Sequence, residues 1–155
     1  MASVVLNHNR RNFINEVGIE FTELKDGTAI GHILIEEKHL NINGAVDGGC
    51  IFTLMDSTSG LGAVSHGNYV TTSNSSVMYL TAAMNTRYIK AIAKPVKIGK
   101  TLLNYDVEVF NDAEAVLAKG SFTFVVLAGI ENNELTAFIK SFEVNGTESN
   151  IARRG

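Results

Sequence analysis

Scarcities in the sequence narrow the possibilities first. The chain has 155 residues, among them one cysteine, one proline and no tryptophan. The lone Cys50 excludes an intrachain disulfide and any multi-cysteine zinc site. Set between Gly49 and Ile51 at the start of an apolar stretch, it reads as a small buried filler rather than a nucleophile. No run approaches the roughly 20 apolar residues that cross a bilayer. In the first eleven residues the basic side chains follow a very short apolar run, the reverse of a signal peptide, so a cytoplasmic protein is expected. Thirteen basic against sixteen acidic residues give a net charge of −3, which offers no electrostatic footprint for nucleic acid or an anionic membrane. A phosphate-bearing ligand would have to be held by a local cluster.

What is present describes one globular domain. The composition is 45% hydrophobic and 19% charged, without the signature of disorder, and a chain of this length buries about 70% of the surface its unfolded form exposes. Residues 9–17 predict a short helix with Phe13, Ile14 and Val17 on one side, closed by Gly18. Ile19 and Phe21 then alternate with Glu20 and Thr22, an Asp26-Gly27 turn follows, and residues 29–37 complete a hairpin that carries His32, read as a solvent-side or core-edge histidine. After a long helix over residues 48–65, strands are predicted over residues 69–80, 86–96, 101–110 and 115–127, with Pro95 tolerable at an edge or a bulge. The class is α+β, an antiparallel sheet of five or six strands wrapped around one long central helix. Residues 128–155 form an extension in which T-A-F-I-K-S-F-E-V suggests a further strand, followed by a frayed end.

The stretch Lys38–Gly62 organises the rest. Between Lys38 and Arg87 the only formal charges are Asp47 and Asp56. On the helix, about 25 Å long at 1.5 Å per residue, Ile51, Leu54, Met55, Thr58, Leu61 and Gly62 share one face, and Gly49, Phe52, Thr53, Asp56, Gly60 and Ala63 the other. Neither face looks solvated, so the helix is expected to be buried all round. The protein's own sheet can cover one side, and a second protomer is the simplest cover for the other. Asn41, Gly44 and the Gly48-Gly49 pair precede the helix, where unpaired N–H groups and the positive end of the macrodipole favour a developing negative charge. Two glycines allow a substrate carbonyl to approach those N–H groups. Asp56, two turns further in, is a carboxylate able to act as base or nucleophile.

At these residues the sequence resembles the hotdog-fold acyl-CoA thioesterases of the phenylacetate-degradation (PaaI-like) type, whose pattern is Asn-x-x-Gly-x-x-His-Gly-Gly with an aspartate seven residues after the last glycine. Asn41, Gly44, Gly48, Gly49 and Asp56 match it. The resemblance extends from about Phe13 to Leu127. It implies a hotdog domain over residues 1–127, a homodimer or dimer of dimers with sites at the subunit interface, and hydrolysis of an acyl-CoA without cofactor or metal. It places the thioester carbonyl at the Gly48 and Gly49 N–H groups, Asn41 beside it, Asp56 of the facing protomer as base or nucleophile, and Thr72 as the positioning hydroxyl. It places Lys97 and Lys100 near the CoA phosphates, and Arg87 and Asp47 are further candidates for contact with the substrate.

One position departs from the pattern: Asp47 stands where the family has histidine. As an N-cap it would accept a hydrogen bond from the N–H of Gly49 or Cys50, worth ~1 kcal/mol. Alternatively it competes for the donors that should polarise the thioester, and the protein becomes a dimer that binds acyl-CoA or a small aromatic ligand without turnover. A hotdog dehydratase or hydratase needs a catalytic histidine paired with a carboxylate, and His8, His32, His39 and His66 do not sit in those patterns.

Overall fold

A computed structural model of the chain describes residues 12–145. A five-residue helix α1 (Phe13–Val17) is capped by the Asn12 side chain, which accepts from the N–H of Asn15, and it stops at Gly18 in the left-handed region. Strands β1 (Ile19–Lys25) and β2 (Thr28–Leu34) form the expected hairpin, with Asp26 and Gly27 both at positive φ in its turn. A short 3-10 turn over Glu37–His39 leads to the long helix α2 (Gly48–Val64). Four strands follow, β3 (Asn68–Tyr79), β4 (Tyr88–Ile98), β5 (Leu102–Asn111) and β6 (Val116–Gly129). His8 and the chain's last ten residues lie outside the described part.

The six strands make one antiparallel sheet in the order β1-β2-β4-β5-β6-β3. Its concave face wraps α2. Ile33, Ile89, Ala91, Leu103, Tyr105, Val107, Phe122 and Phe124 point inward and meet Ile51, Leu54 and Met55 of the helix. Pro95 lies in the interior strand β4, next to a register shift between Pro95 and Lys97, so the missing N–H falls where the ladder is already interrupted.

One expectation is corrected. Residues 132–145 form a helix, α3 (Asn132–Asn145), where a strand was predicted. Over residues 132–140, Leu135, Phe138 and Ile139, spaced i, i+3, i+4, are the half-buried ones, and Leu135 lies beside Gly67 in the turn after α2. Within one chain the second face of α2 is only partly covered. Phe52 packs on Phe122 with ring centroids 5.4 Å apart, yet Gly49 is exposed and Thr53, Asp56 and Gly60 are half-exposed. Likewise Cys50 is half-buried rather than buried.

The histidines within the described residues are held structurally. His39, buried, accepts the N–H of Glu36 at Nδ1 and therefore donates from Nε2 to the Val17 carbonyl at 2.7 Å. The Tyr105 hydroxyl donates to the Gly27 carbonyl at 2.8 Å, leaving His66 Nε2 to donate to the tyrosine oxygen at 2.9 Å. His32 lies on the outer face of the sheet against Thr22 and Tyr88, where burial and the nearby Lys90 ammonium lower its pKa to about 4.

Two helix glycines separate close approach from empty permission. A Cβ on Gly62 would lie 2.6 Å from the Gly27 carbonyl oxygen and 2.8 Å from the Tyr105 ring, whereas one on Gly60 would meet the Phe124 ring at an ordinary 3.6 Å. Gly60→Ala should therefore raise stability by up to about 1 kcal/mol through helix propensity. Gly62→Ala should lower it by about 1–3 kcal/mol through overpacking; urea unfolding midpoints of the two variants check the opposite signs. His32 gives a second expectation. The unfolded chain takes up its proton near pH 6.5 and the folded chain only near pH 4, so more protons are bound unfolded between those values and stability falls as pH drops through that window. His32→Gln should flatten that slope in denaturant titrations.

Candidate active site

The loop before α2 is built to hold an irregular backbone still. The Asn41 N–H donates to the Ala45 carbonyl at 2.8 Å, and the Asn41 side-chain oxygen accepts from the N–H groups of Asn43 and Ala45 at 2.9 and 3.2 Å. Gly44, at φ 76°, supplies the left-handed residue this turn needs. Two further bonds anchor the loop's exit: Asp47 N–H to the His39 carbonyl at 2.8 Å and Val46 N–H to the Ala83 carbonyl at 3.0 Å. The Asn41 oxygen is thus committed to its own loop, and its amide NH₂ is the part left for a ligand.

Asp47 is the N-cap of α2, and its carboxylate accepts from the Gly49 N–H at 2.8 Å. The carboxylate's charge is felt around it. Burial, with Asp47 adding to it, raises the Cys50 thiol to about pKa 11, and the same two causes raise the Tyr79 phenol. Cys50 is therefore a protonated thiol at neutral pH, as expected of a filler. Tyr79, on the helix side of β3, donates its hydroxyl to the Gly48 carbonyl at 3.1 Å.

Two turns along the helix, the Thr72 hydroxyl donates to an Asp56 carboxylate oxygen at 2.7 Å. A register shift in β3 between Thr72 and Asn74 sets Ser73 outside the ladder with β6, a local kink of the kind that re-aims a side chain. Ser59 donates to backbone carbonyls of Met55 and Asp56 rather than to the carboxylate. Asp56 stays half-exposed on the open face of the helix.

The cations fall at two ends of the sheet. Lys97 and Lys100 are exposed at the β4–β5 connection, one strand row from Thr72 through Ile98, Leu103 and Phe124. Arg87 stands just before the other end of β4, about 30 Å away at 3.3 Å per residue, where it pairs with Asp112 at 3.2 Å. The structure thus brings together Asp47, Gly48 and Gly49 at the start of α2, with Asn41 bracing the loop before them, and Asp56 with Thr72 in another group. Tyr79 was not singled out by sequence. Its only signal there was an aromatic among the alternating residues of a strand. Among the described residues no three potential metal ligands cluster, and no helix is long and apolar enough to cross a membrane.

Residues 43–118 match the family model for the thioesterase superfamily. An esterase candidate from Archaeoglobus fulgidus is 35% identical over 101 residues, covering 64% of this chain and 66% of that protein, just short of two thirds of its length. A Streptococcus mutans protein solved bound to acetyl CoA is 30% identical with a TM-score of 0.73, covering 81% of this chain and 99% of the other. A Streptococcus pneumoniae protein of thioesterase type, solved with coenzyme A, is 29% identical with a TM-score of 0.69, covering 73% and 88%. That protein has also been solved with an aspartate, and separately a threonine sixteen residues later, changed to alanine. The fold is that of the Escherichia coli PaaI protein from the phenylacetic acid degradation operon, at 21% identity and a TM-score of 0.72 over 76% of this chain and 85% of the other. The chain therefore has a hotdog fold of the PaaI type and carries a thioesterase-superfamily region over residues 43–118.

Proposed function

We propose that the protein hydrolyses the thioester of an acyl-CoA to a carboxylic acid and CoA, with Asp56 as general base or nucleophile and the Gly48 and Gly49 N–H groups as the oxyanion site. The observation that carries this reading is the 2.7 Å hydrogen bond from Thr72 to Asp56. The two residues are sixteen apart, the spacing of the aspartate and threonine replaced in the Streptococcus pneumoniae protein. A carboxylate so fixed takes a proton from water as the water attacks the carbonyl. The tetrahedral oxyanion gathers at the helix N-terminus, and the proton passes to the departing CoA sulfur.

The reaction needs two chains. Gly49 and Asp56 are about 10 Å apart along the helix axis, too far for one carbonyl and one water to bridge. Helix α2 runs antiparallel to β3, with Gly48 beside Tyr79 and Asp56 beside Thr72. Strand β3 is twelve residues long and among the described residues pairs only with β6, so its other edge is available to a further strand. Joining two copies edge to edge and antiparallel carries the glycine end of one α2 to Asp56 of the partner subunit. In that arrangement Lys97 and Lys100 flank the same mouth and suit the CoA phosphates. Arg87 can serve the same CoA only from the other copy.

A second reading, acyl-CoA binding without turnover, is favoured by the bond from the Gly49 N–H to Asp47, because that donor is already engaged. In an assay over short, medium and aryl acyl-CoAs, Asp56→Ala should reduce kcat/KM by roughly 10²- to 10⁴-fold, and Thr72→Val should lose less. Hydrolysis unaffected by Asp56→Ala would remove Asp56 from the mechanism. Asp47→His should raise kcat, since it removes a carboxylate from the oxyanion end. CoA binding without hydrolysis in both wild type and Asp47→His would leave the binding module as the function.

A further inference from the structure

The Gly48 carbonyl and the Gly49 N–H are two ends of one planar peptide group. The N–H end is the oxyanion donor of the proposed reaction. The carbonyl end accepts the Tyr79 hydroxyl at 3.1 Å, and ring carbons of Tyr79 lie 3.5 Å from where a Gly48 side chain would begin. Tyr79 pairs with Ala118 in the β3–β6 ladder, on the concave side of the sheet. A rigid strand thus holds the ring over the first turn of the helix. We propose that Tyr79 is a positioning residue for this reaction: by holding the Gly48 carbonyl it fixes the plane of the Gly48–Gly49 peptide and polarises the N–H that faces the thioester oxygen.

Three points of chemistry support the role. A hydrogen bond received at an amide oxygen draws electron density from the nitrogen and strengthens the N–H as a donor, the cooperative effect seen along hydrogen-bonded chains. Two consecutive glycines have little stiffness of their own, so an oxyanion donor placed between them needs an external hold to be preorganised. The phenol also stays a donor, because burial and the adjacent Asp47 carboxylate both oppose its ionisation. Asp47 and Tyr79 therefore act on opposite ends of one peptide, the carboxylate occupying the N–H until substrate arrives and the phenol setting its direction.

This inference rests on the hydrolytic reading, and the test keeps the two apart. Tyr79→Phe preserves the ring and removes one hydroxyl. With acetyl-CoA and an aryl acyl-CoA as substrates, kcat should fall about 5- to 20-fold, less than the 10²- to 10³-fold typical of losing an oxyanion donor itself. KM should stay within about two-fold, as for an interaction made mainly in the transition state, and the melting midpoint should not move. In carbon-detected NMR the Gly48 carbonyl resonance should shift on the substitution. An unchanged kcat, a KM that rises as kcat falls, or an unmoved Gly48 resonance overturns the role. Wild type active, Asp56→Ala inactive and Tyr79→Phe normal discards Tyr79 alone. A wild type that cleaves no thioester, in the same assay, discards the hydrolytic reading and Tyr79's part in it.

Discussion

A seventeen-residue helix without a polar stripe cannot be left in water, and the shape of this protein answers that constraint. Ile51, Leu54, Met55, Leu61 and Ala63 are buried at 6% exposure or less. To cover them the sheet curls, and curling throws β3 out to the edge beyond β6, where it returns alongside the helix's second face. The consequence reaches the chemistry directly. Because β3 both lies at the edge and packs on α2, one strand presents Thr72 to Asp56 at one point and Tyr79 to Gly48 at another. The same strand leaves its outer edge open for a second chain.

The antiparallel course of helix and strand then decides how a site can be assembled. Within one chain the helix N-terminus and the carboxylate are held two turns apart by the helix itself, and no side-chain motion closes that gap. The proposed pairing of two chains across β3 would close it through symmetry, and would do so twice. Each half of the proposed site would then sit on regular elements, the anion-binding half on a helix terminus and the carboxylate half on a helix braced by a strand. Under the proposed reaction such a site would exist only in the assembled protein, so catalysis and association would be coupled.

How much of this was legible in the sequence differs from residue to residue. The placing of Asn41 and Gly44 in the loop before α2, and of Gly48, Gly49 and Asp56 on the helix, was readable because fixed spacing on one loop and one helix is local information. The helix and all six strands were readable to within two or three residues, since periods of 3.6 and 2 survive without knowledge of neighbours. Strand order was not, because β3 pairs with β6 some fifty residues later and nothing local records that. Nor was the register shift that sets Ser73 outside the ladder beside Thr72. Helix α3 was misread for a definable reason. Starting at Thr136, its residues alternate like a strand, and only when Leu135 is included do Leu135, Phe138 and Ile139 form a helical stripe, anchored in the fold where Leu135 meets Gly67.

The remaining tension lies in Asp47. A carboxylate is a favourable N-cap and suits the positive end of the helix dipole, so for folding it is a sound choice at that position. For an oxyanion it is a poor neighbour, since like charges a few ångströms apart repel and the carboxylate holds the Gly49 N–H at 2.8 Å. Both effects draw on the same donor, so stability and oxyanion binding cannot both be at their greatest here. Substrate binding can shift the balance in only two ways: its carbonyl displaces the carboxylate, or it uses the neighbouring N–H groups of Gly48 and Cys50, for which no partner appears among the described residues. The first costs the cap and the second costs alignment with a peptide already held by Tyr79. A chain with Asp47 should therefore be slower than one without it, unless the bound acyl group itself brings a hydrogen-bond donor that turns the carboxylate into a contact.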